Sequence, residues 1–429
     1  MQAHERALKT WGFRLAKYSR TKVDPTNTEW QHELSLSQNN VGSVLTAQEN
    51  FPDALRSYQA ELAIIEHLTT LDPINTGWQR DLSVSHNNVG HVLHAQGYLS
   101  EALKSYQIGL AVIERLAKLD LGNAGWQRDL SFSSDFIGNV LVTQRNLPEA
   151  LKSYRAGLVI RERLAKSDPS NSGWQNELAQ SYSAVGSVLQ AQGDLFEALR
   201  SYQSSLAVFE RLTKLDAANT GWLHSLSALH SQIGSVLLAQ GNLPEALKSY
   251  RAAFVGIEHL ADLDPSNPGW QRELSIAYDS VGDVLAAQGN PPEALKSYQA
   301  GFAIIERLAK AEPSNSSRQW DLSQAYEWVG DKLVIAGQLP DALKAYNESL
   351  AIRESLVKAN PANAGWQRDV AVSLSKIGET VANQGDRNSA RAAFSRGREI
   401  IKRLAASSPN TTLYSDEISW FDGRIAAQK

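Results

Sequence analysis

Four carboxylates and an indole are the residues of this chain best suited to chemistry at a surface. Asp279 and Asp283 stand four residues apart, as do Glu327 and Asp331, and Trp328 follows directly on Glu327. On a helix that spacing puts both members of a pair on one face, where like charges cost about 0.2–0.5 kcal/mol. An indole between such carboxylates can stack on a guanidinium or ammonium group. One reading is that residues 276–331 receive a Lys- or Arg-bearing segment of a partner. The other is that these are solvated charges on a mildly acidic protein, and the sequence leaves both open. His86, His91 and His94 lie close together, and His91 and His94 share a helical face that could hold a metal. No His-Glu-x-x-His motif accompanies them and the cluster does not recur, so polar lining is the favoured reading and no metal or cofactor is implied. Gly-rich phosphate loops, nucleophile elbows and paired catalytic carboxylate motifs do not appear, which argues against catalysis.

A repeat must position these residues. Eight copies of a 48-residue unit run without insertion or deletion from Asp24 to Ser407, at 24–71, 72–119, 120–167, 168–215, 216–263, 264–311, 312–359 and 360–407. Self-similarity at such a period marks a solenoid, in which each unit buries its apolar face only against its neighbours. In the second unit, Asp72-Pro73-Ile74-Asn75-Thr76-Gly77 is a connection rich in breakers. Apolar residues at helical spacing (Trp78, Leu82, Val89, Val92, Leu93) predict a first helix from Trp78 to Gln96, stopped by Gly97. A second opens near Ser100, where other units carry Pro52, Pro148, Pro244, Pro292 and Pro340, and runs to about Leu119. The predicted fold is therefore all-α, an α-solenoid of tandem antiparallel helix hairpins with about 18 helices.

Composition agrees with a soluble, cytoplasmic scaffold. The net charge is −4, so a nucleic-acid partner is not expected. Cysteine is absent, which removes disulfides and zinc–sulfur sites. No signal-peptide core follows Met1, and no apolar run approaches the roughly 18 residues of a membrane span, so no membrane partner is expected either.

The unit resembles the tetratricopeptide repeat. Val89-Gly90-x2-Leu93 stands for the L-G-x2-Y part of that 34-residue signature, and Ala102-x3-Tyr106 for A-x3-F. A glycine holds the first place in all eight units (Gly42 to Gly378), an alanine the second (Ala54 to Ala390), and Tyr or Phe394 follows four residues on. Two departures stand out: the signature tryptophan place is His86, and the signature proline is deferred to the place of Pro73, Pro169 and Pro265. The added residues fall on both helices, so the unit is similar to a long-helix variant. The resemblance implies a right-handed superhelix whose first helices line a concave, peptide-binding face.

Function should lie where the copies differ on that face, at three before, two before and one after the shared glycine. Those places hold Asn39, Asn40 and Ser43, then Asn87, Asn88 and His91, then Asp135, Phe136 and Asn139. Serine and glutamine dominate the middle units. Asp279, Ser280 and Asp283 follow, then Glu327, Trp328 and Asp331, then Ser375, Lys376 and Glu379. An amide-rich stretch thus gives way to an acidic one. The lysine with which relatives clamp a carboxylate terminus is missing from the place three before the glycine. A second ladder, Trp30, Trp78, Trp126, Trp174, Trp222, Trp270 and Trp366, is read as packing at each helix start, broken at Arg318 with Trp320 two residues on.

Residues 1–23 match a second helix alone, and 408–429 a first helix alone. The expected function is a non-catalytic protein–protein interaction scaffold for a protein or peptide ligand. The alternative is a head-to-tail homo-oligomer completed through Leu8 and Trp11 at one end and Tyr414, Ile418 and Phe421 at the other. The last helix acting as a simple cap competes with that alternative.

Overall fold

The computed structural model describes residue 24, residues 26–407 and residues 412–428. The half-unit 1–23, with Leu8 and Trp11, lies outside the described residues. Among the described residues the chain is an all-α array of seventeen helices. They are α1 (Thr28–Ala47), α2 (Phe51–Leu71), α3 (Thr76–Ala95), α4 (Leu99–Leu119), α5 (Ala124–Thr143), α6 (Leu147–Ser167), α7 (Ser172–Ala191), α8 (Leu195–Leu215) and α9 (Thr220–Ala239). There follow α10 (Leu243–Leu263), α11 (Pro268–Ala287), α12 (Pro291–Ala311), α13 (Ser316–Ile335), α14 (Leu339–Ala359), α15 (Ala364–Asn383), α16 (Arg387–Ser407) and α17 (Thr412–Ala426). The chain divides into two compact parts, Met1–Gln240 and Gly241–Lys429, and within each part every helix packs on its neighbours in sequence.

Local chemistry sets the helix ends. Asn75 is the N-cap of α3, its Oδ1 accepting the Trp78 backbone N–H at 3.1 Å, and the equivalent asparagines cap the other first helices in the same way. The tryptophan ladder is thus the third residue of each first helix, with half-buried indoles. At the other end Gly97 takes φ +82° and lets the Tyr98 N–H reach back to the Leu93 carbonyl at 2.9 Å. Second helices start on proline where one is present, in the turn that lacks N–H partners anyway.

The two helices of a hairpin meet through the shared glycine. A Cβ on Gly90 would lie 2.8 Å from the Tyr106 ring, and one on Gly330 only 2.5 Å from that of Tyr346. Any larger residue would push the second helix away. The companion alanines Ala54, Ala102, Ala150 and Ala198 are 0 % exposed, closing the same contact one turn earlier.

Two helix stops lack the glycine: Glu49 and Arg145 sit at φ 57° and 60°. A side chain is strained in that region, and the Arg145 side chain makes no bond among the described residues that would offset it. Arg145→Gly is expected to raise stability by about 0.5–1 kcal/mol, whereas Arg145→Ala brings no such gain. Chemical denaturation of the two variants measures the difference.

Candidate functional site

The segment after each capped tryptophan joins one hairpin to the next. In three units its glutamine turns back to the preceding helix end, Gln127 Nε2 to the Ala117 carbonyl at 3.1 Å, Gln175 to Ala165 at 2.9 Å and Gln319 to Ala309 at 3.0 Å. Its arginine reaches the acid of the following unit: Arg80 to Asp129 and Arg128 to Glu177, both at 2.5 Å, and Arg272 to Asp321 at 3.0 Å. His32 and Asp81 continue that rail at 2.8 Å, and Arg368 extends it to Glu417 on α17. The break at Arg318 is an exchange. Arg318 holds the tryptophan place, Trp320 the arginine place, and the Trp320 indole N–H donates to Asp369 at 2.8 Å. The signal was present as Arg-Asp side by side in successive units.

The place three before the shared glycine faces inward. Asn39 donates to the buried Glu61 at 2.9 Å, and Asn87 to Ser133 at 3.1 Å. Asp135 pairs with Arg161 at 2.6 Å, and Glu327 pairs with Arg353. Both arginines are buried, 3 % and 1 % exposed, in a column filled elsewhere by Ile65, Ile113, Phe209, Ile305 and Ile401. Arg353 is further bound by the Asp369 carbonyl at 3.0 Å and by Ser373 at 2.8 Å. Glu327 is therefore the counterion of an internal cation.

The place one after the glycine is held by the ring that packs on that glycine. The Tyr154 hydroxyl donates to Asn139 at 2.6 Å, that of Tyr298 to Asp283 at 2.7 Å, and that of Tyr346 to Asp331 at 2.5 Å. Each acid also receives a cation from the next first helix: Lys332 on Asp283, Lys376 on Asp331 at 2.8 Å, and Arg424 on Glu379 at 2.8 Å. His91 is exposed in its hairpin. His94 Nε2 lies 3.0 Å from the Thr143 hydroxyl.

Asp279 differs from its neighbours, having no hydrogen bond or ion pair among the described residues. Burial, with the charge of Asp283 added, pushes its carboxyl up to about 7, while Lys332 acts in the other direction. It borders a recess of about 290 Å³, counting the solvent at its mouth, with Ser275, Tyr298, Phe302, Trp328 and Lys332. The Trp328 ring is 46 % exposed there. Lys332, Tyr298 and Phe302 were not singled out from the sequence. Lys332 could have been, since the same place is valine at 44, 92, 140, 188, 236 and 284.

At the far end Phe421 is 4 % exposed against Gly397, and Tyr414 and Ile418 pack on the same core cluster as Phe394 and Ile401. Part of their apolar surface is used within the chain. No helix among the described residues is long and apolar enough to cross a membrane.

The family model described as "Tetratricopeptide repeat" matches residues 178–216. No curated protein sequence matches the chain. Among solved structures, the apo form of RapI is similar over 95% of this chain and 99% of its own, at 11% identity and a TM-score of 0.57. BtubC from P. vanneervenii covers 61% of this chain and 92% of its own, at 17% identity and a TM-score of 0.46. A Podosopora anserina chain with nearly identical TPR-like repeats covers 55% of this chain and 99% of its own, at 15% identity and a TM-score of 0.39.

Two measurements check the buried charges. Arg353→Ile leaves Glu327 without its cation and should lower stability by about 3 kcal/mol, whereas Arg353→Ile with Glu327→Ser recreates the Ser375 and Ile401 arrangement and should recover to within about 1 kcal/mol in urea. Glu61 is 4 % exposed, and burial pushes it from 4.5 to about 7. The folded chain therefore holds that proton more tightly than the unfolded one. The contribution is complete below the unfolded value and is lost as pH rises through the folded one. Glu61→Gln should remove about 1–3 kcal/mol of the stability loss seen between pH 5 and 8, read as the difference between variant and parent.

Proposed function

We propose that this chain, which matches the tetratricopeptide-repeat family model over residues 178–216, is a non-catalytic protein-interaction scaffold that receives a partner segment on a face built by its first helices. The most specific part of that face is in residues 276–331, and the segment it receives carries lysine or arginine. One observation carries this reading: an exposed indole, Trp328, stands beside Asp279, a carboxylate with no partner of its own. Aromatic and acidic surfaces together attract cations with a face to stack on and a charge to pair with. The flanking acids Asp283, Asp331 and Glu379 add to that field even though each already holds one internal cation, because they remain partly open to solvent. Asn39 and Asn87 bond inward to Glu61 and Ser133, so in the first three hairpins the exposed His91 and Asn139 are the polar groups of that face.

Reversing charge at the acidic end tests the proposal. A tetralysine peptide is expected to bind the parent protein at moderate salt, and Asp283→Lys with Asp331→Lys should weaken that binding at least tenfold. Equal binding by parent and variant in isothermal titration would sink the reading. Circular dichroism should show the helix content unchanged.

A further inference from the structure

One position compared across two hairpins shows how the recess arises. Phe136, two before the shared glycine of the third unit, stacks on Tyr106 of the unit before it, with ring centroids 5.3 Å apart and planes 21° from parallel. That stack closes the gap between the hairpins. Four units on, the same two places are Trp328 and Tyr298. Here the Lys332 ammonium lies over both rings, 5.1 Å from the Tyr298 centroid and 5.7 Å from that of Trp328. Its charge is met by Asp283, which also accepts the Tyr298 hydroxyl. Lys332 itself stands in the valine column, whose members Val92, Val140, Val236 and Val284 are 0 % exposed.

A lysine in a core column must carry its charge out of the core. Its stem leads the ammonium into a cage of two aromatic faces and two carboxylates. Only one of those carboxylates is paired, and the cage wall is completed by Phe302, which meets Tyr326 edge to face at 4.9 Å. Ammonium groups are held well by such surroundings. The cage therefore has the chemistry of an ammonium-binding site, filled by the protein's own side chain.

We propose that the cage formed by Asp279, Asp283, Tyr298 and Trp328 is a receptor for a lysine ammonium of the partner segment, with Lys332 as a tethered occupant that the incoming lysine displaces. This rests on the scaffold reading above and names its anchor point. The internal occupant sets the affinity, because a ligand must compete with a group already in place. The surplus carboxylate, Asp279, strengthens the hold on any cation seated there. The groups facing it are Asp283 on its own helix, Tyr298 on α12 and Lys332 on α13.

The experiment titrates acetylated tetralysine amide into the full chain at physiological salt. Lys332→Val restores the residue of the six preceding units and empties the cage, so it should bind at least fivefold more tightly than the parent. Lys358→Gln removes one exposed positive charge in the last turn of α14, away from the recess, and should stay within twofold of the parent. Adding Asp279→Asn or Trp328→Ala to Lys332→Val should reverse the gain. The proposal is overturned if Lys332→Val binds no more tightly, or if Lys332→Val and Lys358→Gln shift affinity alike, which is a response to net charge alone. If the parent binds and Asp283→Lys with Asp331→Lys abolishes binding, while Lys332→Val changes nothing, only the tethered-occupant proposal fails. If tetralysine binds neither parent nor variants, the basic-segment reading fails with it.

Discussion

The contact of a glycine with an aromatic ring sets the geometry of the hairpins in this chain. With no Cβ at Gly282, the ring of Tyr298 comes so close that an added carbon would lie 2.6 Å from it. That approach fixes the distance between the two helices of a hairpin, and interiors packed to native density do not relax it cheaply. It also fixes where the ring ends. The hydroxyl of Tyr298 or Tyr346 arrives at the residue just after the glycine, so that residue is a hydrogen-bond acceptor held by the fold. Packing and site chemistry are therefore one constraint. An acid placed there is oriented before any ligand arrives.

Stacking of one hairpin on the next uses a different set of bonds. The rail from Arg80 to Asp129 and Arg128 to Glu177 runs along the starts of the first helices, each pair linking residues of adjacent units. Such half-exposed ion pairs are individually weak, on the order of 0–1 kcal/mol. Their repetition matters more, because Arg80, Arg128, Arg272 and Arg368 each offer the same donor to an acid of the following repeat. Steps so alike discriminate little between units, and apolar columns of near-identical composition add little more. Arg161 and Arg353 break that equivalence. Each needs the one carboxylate placed opposite it, Asp135 or Glu327, and pairing with any other hairpin would leave a guanidinium buried without a counterion.

Much of this was legible in the chain itself. Hairpins, their stops, the capped tryptophans and the glycine–aromatic pairing all follow from local pattern, because each is decided within a few residues or between two helices joined by a short turn. The partners of the acids were not legible in the same way. Asp283 finds Lys332, and Asp331 finds Lys376, on the first helix of the following unit, and the preceding repeats carry no such pair to announce it. Glu327 reads as a surface acid until the isoleucine column is seen to hold Arg353. Trp320 looks displaced until its indole N–H is found in the place of an arginine. In every case the clue is a departure from column composition, and the departure gains meaning only when the neighbouring column is known.

Lys332 shows why such a departure carries more weight than an ordinary surface charge. A valine at this place is covered completely in four other units, so a lysine there loses a tightly packed apolar group and introduces a cation beside the core. Leaving that cation unpaired would cost several kcal/mol. The chain avoids this by supplying Asp283, two ring faces and an outward path for the stem. Yet the compensation is incomplete, since Asp279 sits in the same recess with no ion pair of its own, its carboxyl raised to about 7 by burial and by Asp283. A site built only to neutralise Lys332 would need one carboxylate. Two carboxylates and an exposed indole exceed that need, and they match the charge and shape of an ammonium that takes the place of Lys332.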